Sequence, residues 1–265
     1  MLDIVLKKSD SHNIQDSGLV EIVKIGNVEI PTMVISDGCS SGINTEFGSM
    51  LISLSFMSVM KENSDILDFK NPALIYEKFL RKFSYSCLSL KIEVDMALAT
   101  LNAVYVFEGK IYHIMAGDGF LFYKKKEEVF YYRHFFESNA PYYPAYKIFN
   151  KEKEYEQSFE KNNRIIERTA YITGDVVDSH HWGKNVHIRE HNIDDISYLG
   201  ISSDGIESFQ NNGNSFDYYE ICKEMCDIKN STGSFVQRTF NRVNKNLTKL
   251  EYSNYDDVSI AMMIL

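Results

Sequence analysis

Four aspartates in this 265-residue chain stand at one end or the other of an apolar, strand-like run. Asp37 follows Met33-Val34-Ile35 and precedes Gly38. Asp204 follows Ile196–Ser202 and precedes Gly205. Asp118 lies between Gly117 and Gly119 inside a strand-rich region, and Asp256 stands just ahead of the closing run Val258–Leu265. A single Asp-Gly is most simply a turn; the recurrence is what carries information. Carboxylates at strand ends can converge at one edge of a sandwich, where they repel one another unless a cation neutralises them. A donor set made only of oxygen, with room for retained waters, suits Mg²⁺ or Mn²⁺. At Gly38 the missing Cβ lets another group approach the backbone, so one side-chain and one main-chain oxygen can face the same hard cation.

The elements that must position these residues are legible as periods. Residues 2–6 form a short strand, and 19–23 with 28–30 form a hairpin turning at Gly26-Asn27, ahead of the strand that ends at Ile35. Ile43, Phe47, Met50, Leu54 and Met57 fall on one helical stripe, read as a core face. A second helix opens at Asn71-Pro72 and buries Ile75, Phe79 and Phe83, with Leu80 and Cys87 alongside. Strands follow at 98–107, 110–116, 120–123 and 129–133. Residues 134–165, rich in Tyr and Phe, read as an irregular or partly helical insertion. Strands resume at 169–173, 186–188 and 196–202, then helices near 216–226 and 236–247, then a last strand. Strands, two helices, strands, two helices and a strand suggest a β-sandwich flanked by helices. No internal repeat or low-complexity linker divides the chain, so a single domain over 1–265 is expected.

Bulk composition excludes several classes. The formal net charge is −9 and the basic runs are short and mixed with Glu, which disfavours nucleic acid as a partner. An acidic protein can still hold phosphate through bound cations. Cys39, Cys87, Cys222 and Cys226 are scattered without a CxxC, as free thiols of a reducing compartment would be. No signal-peptide pattern opens the sequence, and the apolar-rich run at 47–60 is too short to span a bilayer. The expectation is a soluble, cytoplasmic, monomeric protein with no membrane association. His180, His181, His187 and His191 lack a Cys partner at zinc-finger spacing, and Cys222 and Cys226, at i and i+4, read as core.

Taken together, Asp37-Gly38-Cys39-Ser40-Ser41, Thr100 leading to Gly117-Asp118, Ser203-Asp204-Gly205 and Asp256-Asp257 resemble the motifs of the metal-dependent protein phosphatases of type 2C. The resemblance runs from about residue 10 to the C-terminus. It implies an α+β fold of four layers, α/β-sandwich/α, with two mainly antiparallel sheets flanked by helix pairs. It also implies two cations, Mg²⁺ or Mn²⁺, and an optional third. Asp37 would be shared by two cations, the Gly38 carbonyl would bind one of them, Asp204 and Asp256 would complete the second cation's shell, and Asp118, with Asp204, would help hold the third. The family's N-terminal acidic pair maps onto Gln15-Asp16, which gives Asp16 a catalytic role. The activity implied is hydrolysis of phosphoserine and phosphothreonine by direct attack of a metal-activated water. Its substrate would be a phosphorylated protein, a kinase or a kinase target.

The sequence departs from that pattern in four places. Gln15 replaces a Glu, Ser40-Ser41 replace a glycine pair, and Gly119-Phe120 replace Ser-Arg. The phosphate-holding arginine is missing, so His12, or Lys8, would have to contact substrate. These departures leave a second reading open, a catalytically weak phosphatase-like domain acting as a regulatory binding module.

Overall fold

Apolar strands, the central ones buried on both faces, build two five-stranded antiparallel sheets, described here over residues 1–9, 14–136, 138–159, 165–170, 176–181 and 185–265 of a computed structural model. With strands numbered in chain order, the first sheet runs β1 (Leu2–Lys7), β15 (Val258–Ile264), β11 (Ile196–Ser202), β6 (Gly119–Lys125), β7 (Glu128–His134). The second runs β10 (His187–Asn192), β5 (Lys110–Ala116), β4 (Leu101–Phe107), β3 (Val28–Ser36), β2 (Ser17–Ile25). A hairpin of β8 (Ile165–Ala170) and β9 (Val176–His181), lying beside β7, and a small sheet of β12 (Phe209–Asn211), β13 (Asn214–Ser215) and β14 (Ser253–Asn254) form separate sheets. Met33, Ile35, Val104, Leu121, Ile201 and Ala261 interdigitate between the two large sheets. Helices α1 (Glu46–Glu62) and α2 (Pro72–Leu90) cover the outer face of the second sheet, and α5 (Tyr218–Met225) and α6 (Phe235–Lys249) that of the first. The four-layer α+β arrangement is the one expected.

Helix α2 has the face its spacing predicts. Ile75, Phe79, Phe83 and Cys87 are buried, and Asn71 Oδ1 accepts the Leu74 N–H at 3.2 Å ahead of Pro72. Cys222 and Cys226 are core residues, as expected.

Helix α1 corrects the reading. Phe47, Met50 and Leu54 are 42%, 44% and 49% exposed, and Ile43, ahead of the helix, is 66% exposed; of the expected stripe only Met57 is buried. Leu51, Ile52, Phe56, Val59 and Met60 face inward with Ser49, Ser53 and Ser55. The physical cause is close approach at Gly48. A Cβ there would lie 2.5 Å from the Met96 carbonyl oxygen, so this face must turn inward whatever lies opposite. A helix apolar on nearly every side offers periodicity no single phase to choose.

Other differences are local. The strand expected from residue 98 begins at Leu101, because Asp95–Ala97 form a 3₁₀ turn and Ala99 makes an isolated bridge to Gly38. The strand at 186–188 extends to Asn192. Of the strand expected at 169–173, β8 contains 169 and 170, and 171–173 lie outside the described residues; β9 and the small sheet were not foreseen. The 134–165 stretch is partly helical, with α3 (Pro144–Ile148) and α4 (Glu152–Phe159) around a cluster of Phe136, Tyr142 and Tyr155.

Candidate active site

The end of β3 delivers Asp37, and Thr100 fixes it there. The Thr100 Oγ1 accepts the Asp37 N–H at 2.9 Å, and the Thr100 N–H donates to the Asp37 carbonyl at 2.8 Å. The Ser36 hydroxyl donates to the Thr100 carbonyl from the other side. The bridge to Ala99 uses the Cys39 N–H and the Asp37 carbonyl, which leaves the Gly38 carbonyl outside it.

Asp204 leaves β11 in a 3₁₀ turn, Asp204–Glu207. Ser203 is stitched to β15 by its N–H, 3.1 Å from the Ser259 carbonyl, and by its Oγ, which accepts the Ser259 N–H at 3.1 Å. A Cβ on Gly205 would lie 1.7 Å from the Asp257 carbonyl oxygen, so only glycine lets the Asp204 turn and the Asp256-Asp257 lead-in pass each other. Asp118 occupies the turn between β5 and β6. Beneath it, Asn102 Nδ2 donates to the carbonyls of Phe120 at 2.9 Å and Ser202 at 3.2 Å, tying the two sheets together.

Asp37, Asp118, Asp204 and Asp256 thereby line one cleft of about 460 Å³. Gly38, Cys39, Ser40 and Ser41 form one wall, and Asn139, Pro141 and Tyr143 from the insertion form another. Hollows beside α2 and α4 are lined by mixed surface side chains and gather no such set.

Asp16 is buried behind this cleft. Neither of its oxygens makes a well-formed hydrogen bond, although the Asp37 carboxyl and the Ser259 hydroxyl lie against it. Burial pushes the Asp16 carboxyl up to about 7, with Asp204 and Asp257 adding repulsion. Burial also holds Asp37 well above the ordinary carboxylate range, reinforced by Asp16 and Asp204. Asp118 is raised by burial and by Asp204, with Arg133 opposing. These are the electrostatics of crowded carboxylates lacking a counter-charge.

The residues present fit divalent cations by two observations. The donor set is oxygen throughout, and Asp204 Oδ1 and both Asp16 oxygens are buried without a hydrogen-bond donor. Among the described residues no three His, Cys, Asp or Glu side chains are already drawn together as a closed ligand set.

Not every expected residue joins the cleft. Asp16 lies behind it. Gln15 Nε2 donates to Thr45 Oγ1 at 3.0 Å and its backbone N–H to Asp257 Oδ2 at 2.6 Å. Lys8 is exposed and does not line the cleft. His12 lies outside the described residues, as does Trp182.

Sequence reasoning missed Asp257 as a functional support. Its carboxylate accepts the backbone N–H of Ser9 at 2.7 Å and of Gln15 at 2.6 Å, which pins the N-terminal segment and places Asp16. Strand alternation was the available signal, since neighbours in an Asp-Asp lead-in point to opposite sides. Also missed were Asn139 and Tyr143, and the buried imidazoles of His113 and His134. The latter pack edge to face at 5.8 Å, and burial holds both well below the usual histidine range. His187, one of the histidines weighed for zinc, packs 4.8 Å from His134, away from the cleft.

A family model described as protein phosphatase 2C matches residues 8–250. Among solved structures, the serine/threonine phosphatase Stp1 from Staphylococcus aureus superposes with a TM-score of 0.63 at 10% identity, covering 100% of this chain and 94% of that one. A serine/threonine phosphatase of S. agalactiae gives 0.56 at 12% identity, covering 99% and 98%. Likeness at such identities is a likeness of fold. No curated relative matches the sequence. Among the described residues no helix is long and apolar enough to cross a membrane.

Proposed function

This chain belongs to the protein phosphatase 2C family, and from that premise we propose that it hydrolyses phosphoserine and phosphothreonine in proteins with the aid of two divalent cations, Mg²⁺ or Mn²⁺, and an optional third. The observation that supports this is the meeting of Asp37, Asp118, Asp204 and Asp256 in one cleft from four distant places in the chain. Asp37 and the Gly38 carbonyl would hold one cation, with Asp37 shared by a second whose ligands include Asp204 and Asp256. Asp118, with Asp204, would hold the third. When bound, the cations supply a water acidified enough to attack phosphorus and positive charge to clamp the phosphoryl oxygens.

The chain's own residues orient and protect. Thr100 sets the direction of Asp37 through both of its backbone bonds. Asp16, pressed against the Asp37 carboxyl, holds a proton at its own oxygen below about pH 7, because burial disfavours its charge. Asn139, Pro141 and Tyr143 close one side of the cleft. We further infer that residues 1–265 form one catalytic domain, acting on a kinase or a kinase target in the cytoplasm.

The test is Mn²⁺-dependent hydrolysis of a phosphothreonine peptide by the wild type and by Asp37→Asn. The wild type should turn over and lose activity in chelator, and the variant should fall by at least about 10²-fold. Equal activity in both proteins refutes the reading. The regulatory-module reading has one observation in its favour: the Gln15 amide is engaged by Thr45 where the family has a carboxylate. It requires metal binding with no turnover on any phosphoprotein.

A further inference from the structure

The cleft presents a recognition problem. A phosphoryl group is dianionic, yet the described lining residues include four carboxylates and no Lys, Arg or His. Arg133, the cation felt by Asp118, is committed to an ion pair with Glu207 and packs 4.0 Å over the Phe135 ring. The neutral donors of the lining are the hydroxyls of Ser40 and Ser41, the Asn139 amide, the Cys39 thiol and the Tyr143 phenol.

These donors are not equivalent. Ser40, Ser41 and Asn139 are exposed, and a flexible donor in water has little to add to binding. Tyr143 is 7% exposed and rigidly held. It stands at the N-cap of α3, fixed by Pro144 at the first helical position, and its carbonyl accepts the Tyr146 N–H at 3.0 Å. Its ring packs 5.8 Å from that of Tyr146 and belongs to the helix-side core. Its hydroxyl lies against the Cys39 thiol, in the field of Asp118 and Asp37. A phenol keeps its proton at neutral pH and so stands as a donor.

We propose that the Tyr143 hydroxyl is a phosphate-binding side chain of the cleft, donating a hydrogen bond to a phosphoryl oxygen of the substrate. This rests on the phosphatase reading above and deepens it. A phenol donates a hydrogen bond without forming an ion pair with the carboxylates that flank it. A preorganised O–H in a water-poor wall needs no reorganisation when the anion arrives. The donor comes from the insertion, which couples that segment to substrate recognition.

The test compares the wild type, Tyr143→Phe and Tyr146→Phe, all loaded with Mn²⁺. Tyr143→Phe keeps the ring and its packing and removes one O–H, so its melting temperature should stay close to that of the wild type. Loss of a hydrogen bond to a charged acceptor predicts roughly a tenfold or larger rise in KM for a phosphopeptide, with kcat changed far less. Inorganic phosphate, titrated by calorimetry, should bind more weakly by the same factor, while the Mn²⁺ midpoint is unchanged. Tyr146→Phe should match the wild type in both. Unchanged phosphate affinity in Tyr143→Phe overturns the proposal. So does a shifted Mn²⁺ midpoint with unchanged phosphate affinity, which would assign the phenol to the cations' water shell. If the wild type hydrolyses nothing, the phosphatase reading fails, and the phosphate titration alone still decides for or against Tyr143.

Discussion

Replacing Asp16 by Asn should stabilise the metal-free protein, and the gain should grow with pH. Asp16 titrates near 3.8 when exposed to water and is pushed to about 7 by burial in the folded chain. Between those values the unfolded carboxyl is ionised while the folded one keeps its proton. The folded state then binds the extra proton, and stability from this group falls as pH rises. Each pH unit in the window costs about 1.4 kcal/mol. The loss from this one carboxyl is therefore at most about 4 kcal/mol between pH 4 and 7, with nothing further above that window. His113 and His134 act in the opposite sense. Burial lowers their titration, so their contribution to stability rises as pH climbs toward the ordinary histidine value. The informative quantity is consequently the gap between Asp16→Asn and the wild type, in which the histidines cancel. Denaturant unfolding in chelator at pH 5 and pH 8 should show that gap widening by about 2–3 kcal/mol in favour of the variant. With saturating Mn²⁺ at pH 8 the gap should shrink or reverse, because cations in the cleft relieve the crowding that raises Asp16 and Asp37. A gap that stays constant or narrows with pH in chelator would refute the account of Asp16 as an uncompensated buried acid.

Three further perturbations probe other parts of the same structure. Asp257→Ala removes the acceptor of two backbone N–H groups, at 2.7 and 2.6 Å. It should cost about 2–4 kcal/mol in chemical denaturation and lower turnover by releasing the segment that places Asp16. Phe47→Glu and Leu54→Glu, on the exposed face of α1, should each change stability by no more than about 0.5 kcal/mol, whereas Phe56→Ala should cost about 3–5 kcal/mol by thermal or denaturant melting. Mn²⁺ at a hundred times its dissociation constant should stabilise the wild type by about 2.7 kcal/mol, and Asp204→Asn should lose most of that shift in a melting assay.

The features of this site that were legible in the sequence are those enforced by the backbone. An apolar run ending in Asp-Gly reports a strand end and a tight approach, and the structure brings the three such aspartates, Asp37, Asp118 and Asp204, to one cleft with Asp256. Helix α2 was legible because its polar and apolar faces differ and its start carries a cap and a proline. Helix α1 was not, since serines and large apolar residues alternate around it and one glycine contact with Met96 chooses the buried face. Asp257 and Tyr143 were harder to read for another reason. Alternation indicates that Asp257 points away from Asp256, but the importance of both residues lies in what they touch, the N–H groups of Ser9 and Gln15 in one case and the Asp37–Cys39 wall in the other, and no local pattern encodes such long-range partners.

The same distinction explains how the cleft tolerates its departures from the family pattern. Gln15 no longer offers a carboxylate, yet its backbone N–H still donates to Asp257 and its side chain still bonds Thr45, so the segment that carries Asp16 keeps its position. The position is held by main-chain bonds, which a change of side chain does not disturb, while the segment behind the cleft carries one carboxylate fewer than the family pattern. Fewer carboxylates mean less mutual repulsion in the metal-free cleft and a weaker hold on the ion that relieves it. Gln15→Glu should therefore strengthen Mn²⁺ binding and, in chelator above neutral pH, destabilise the fold. Tighter metal binding without that destabilisation would separate the two effects and show that the residue at position 15 does not share the electrostatic field of Asp16 and Asp37.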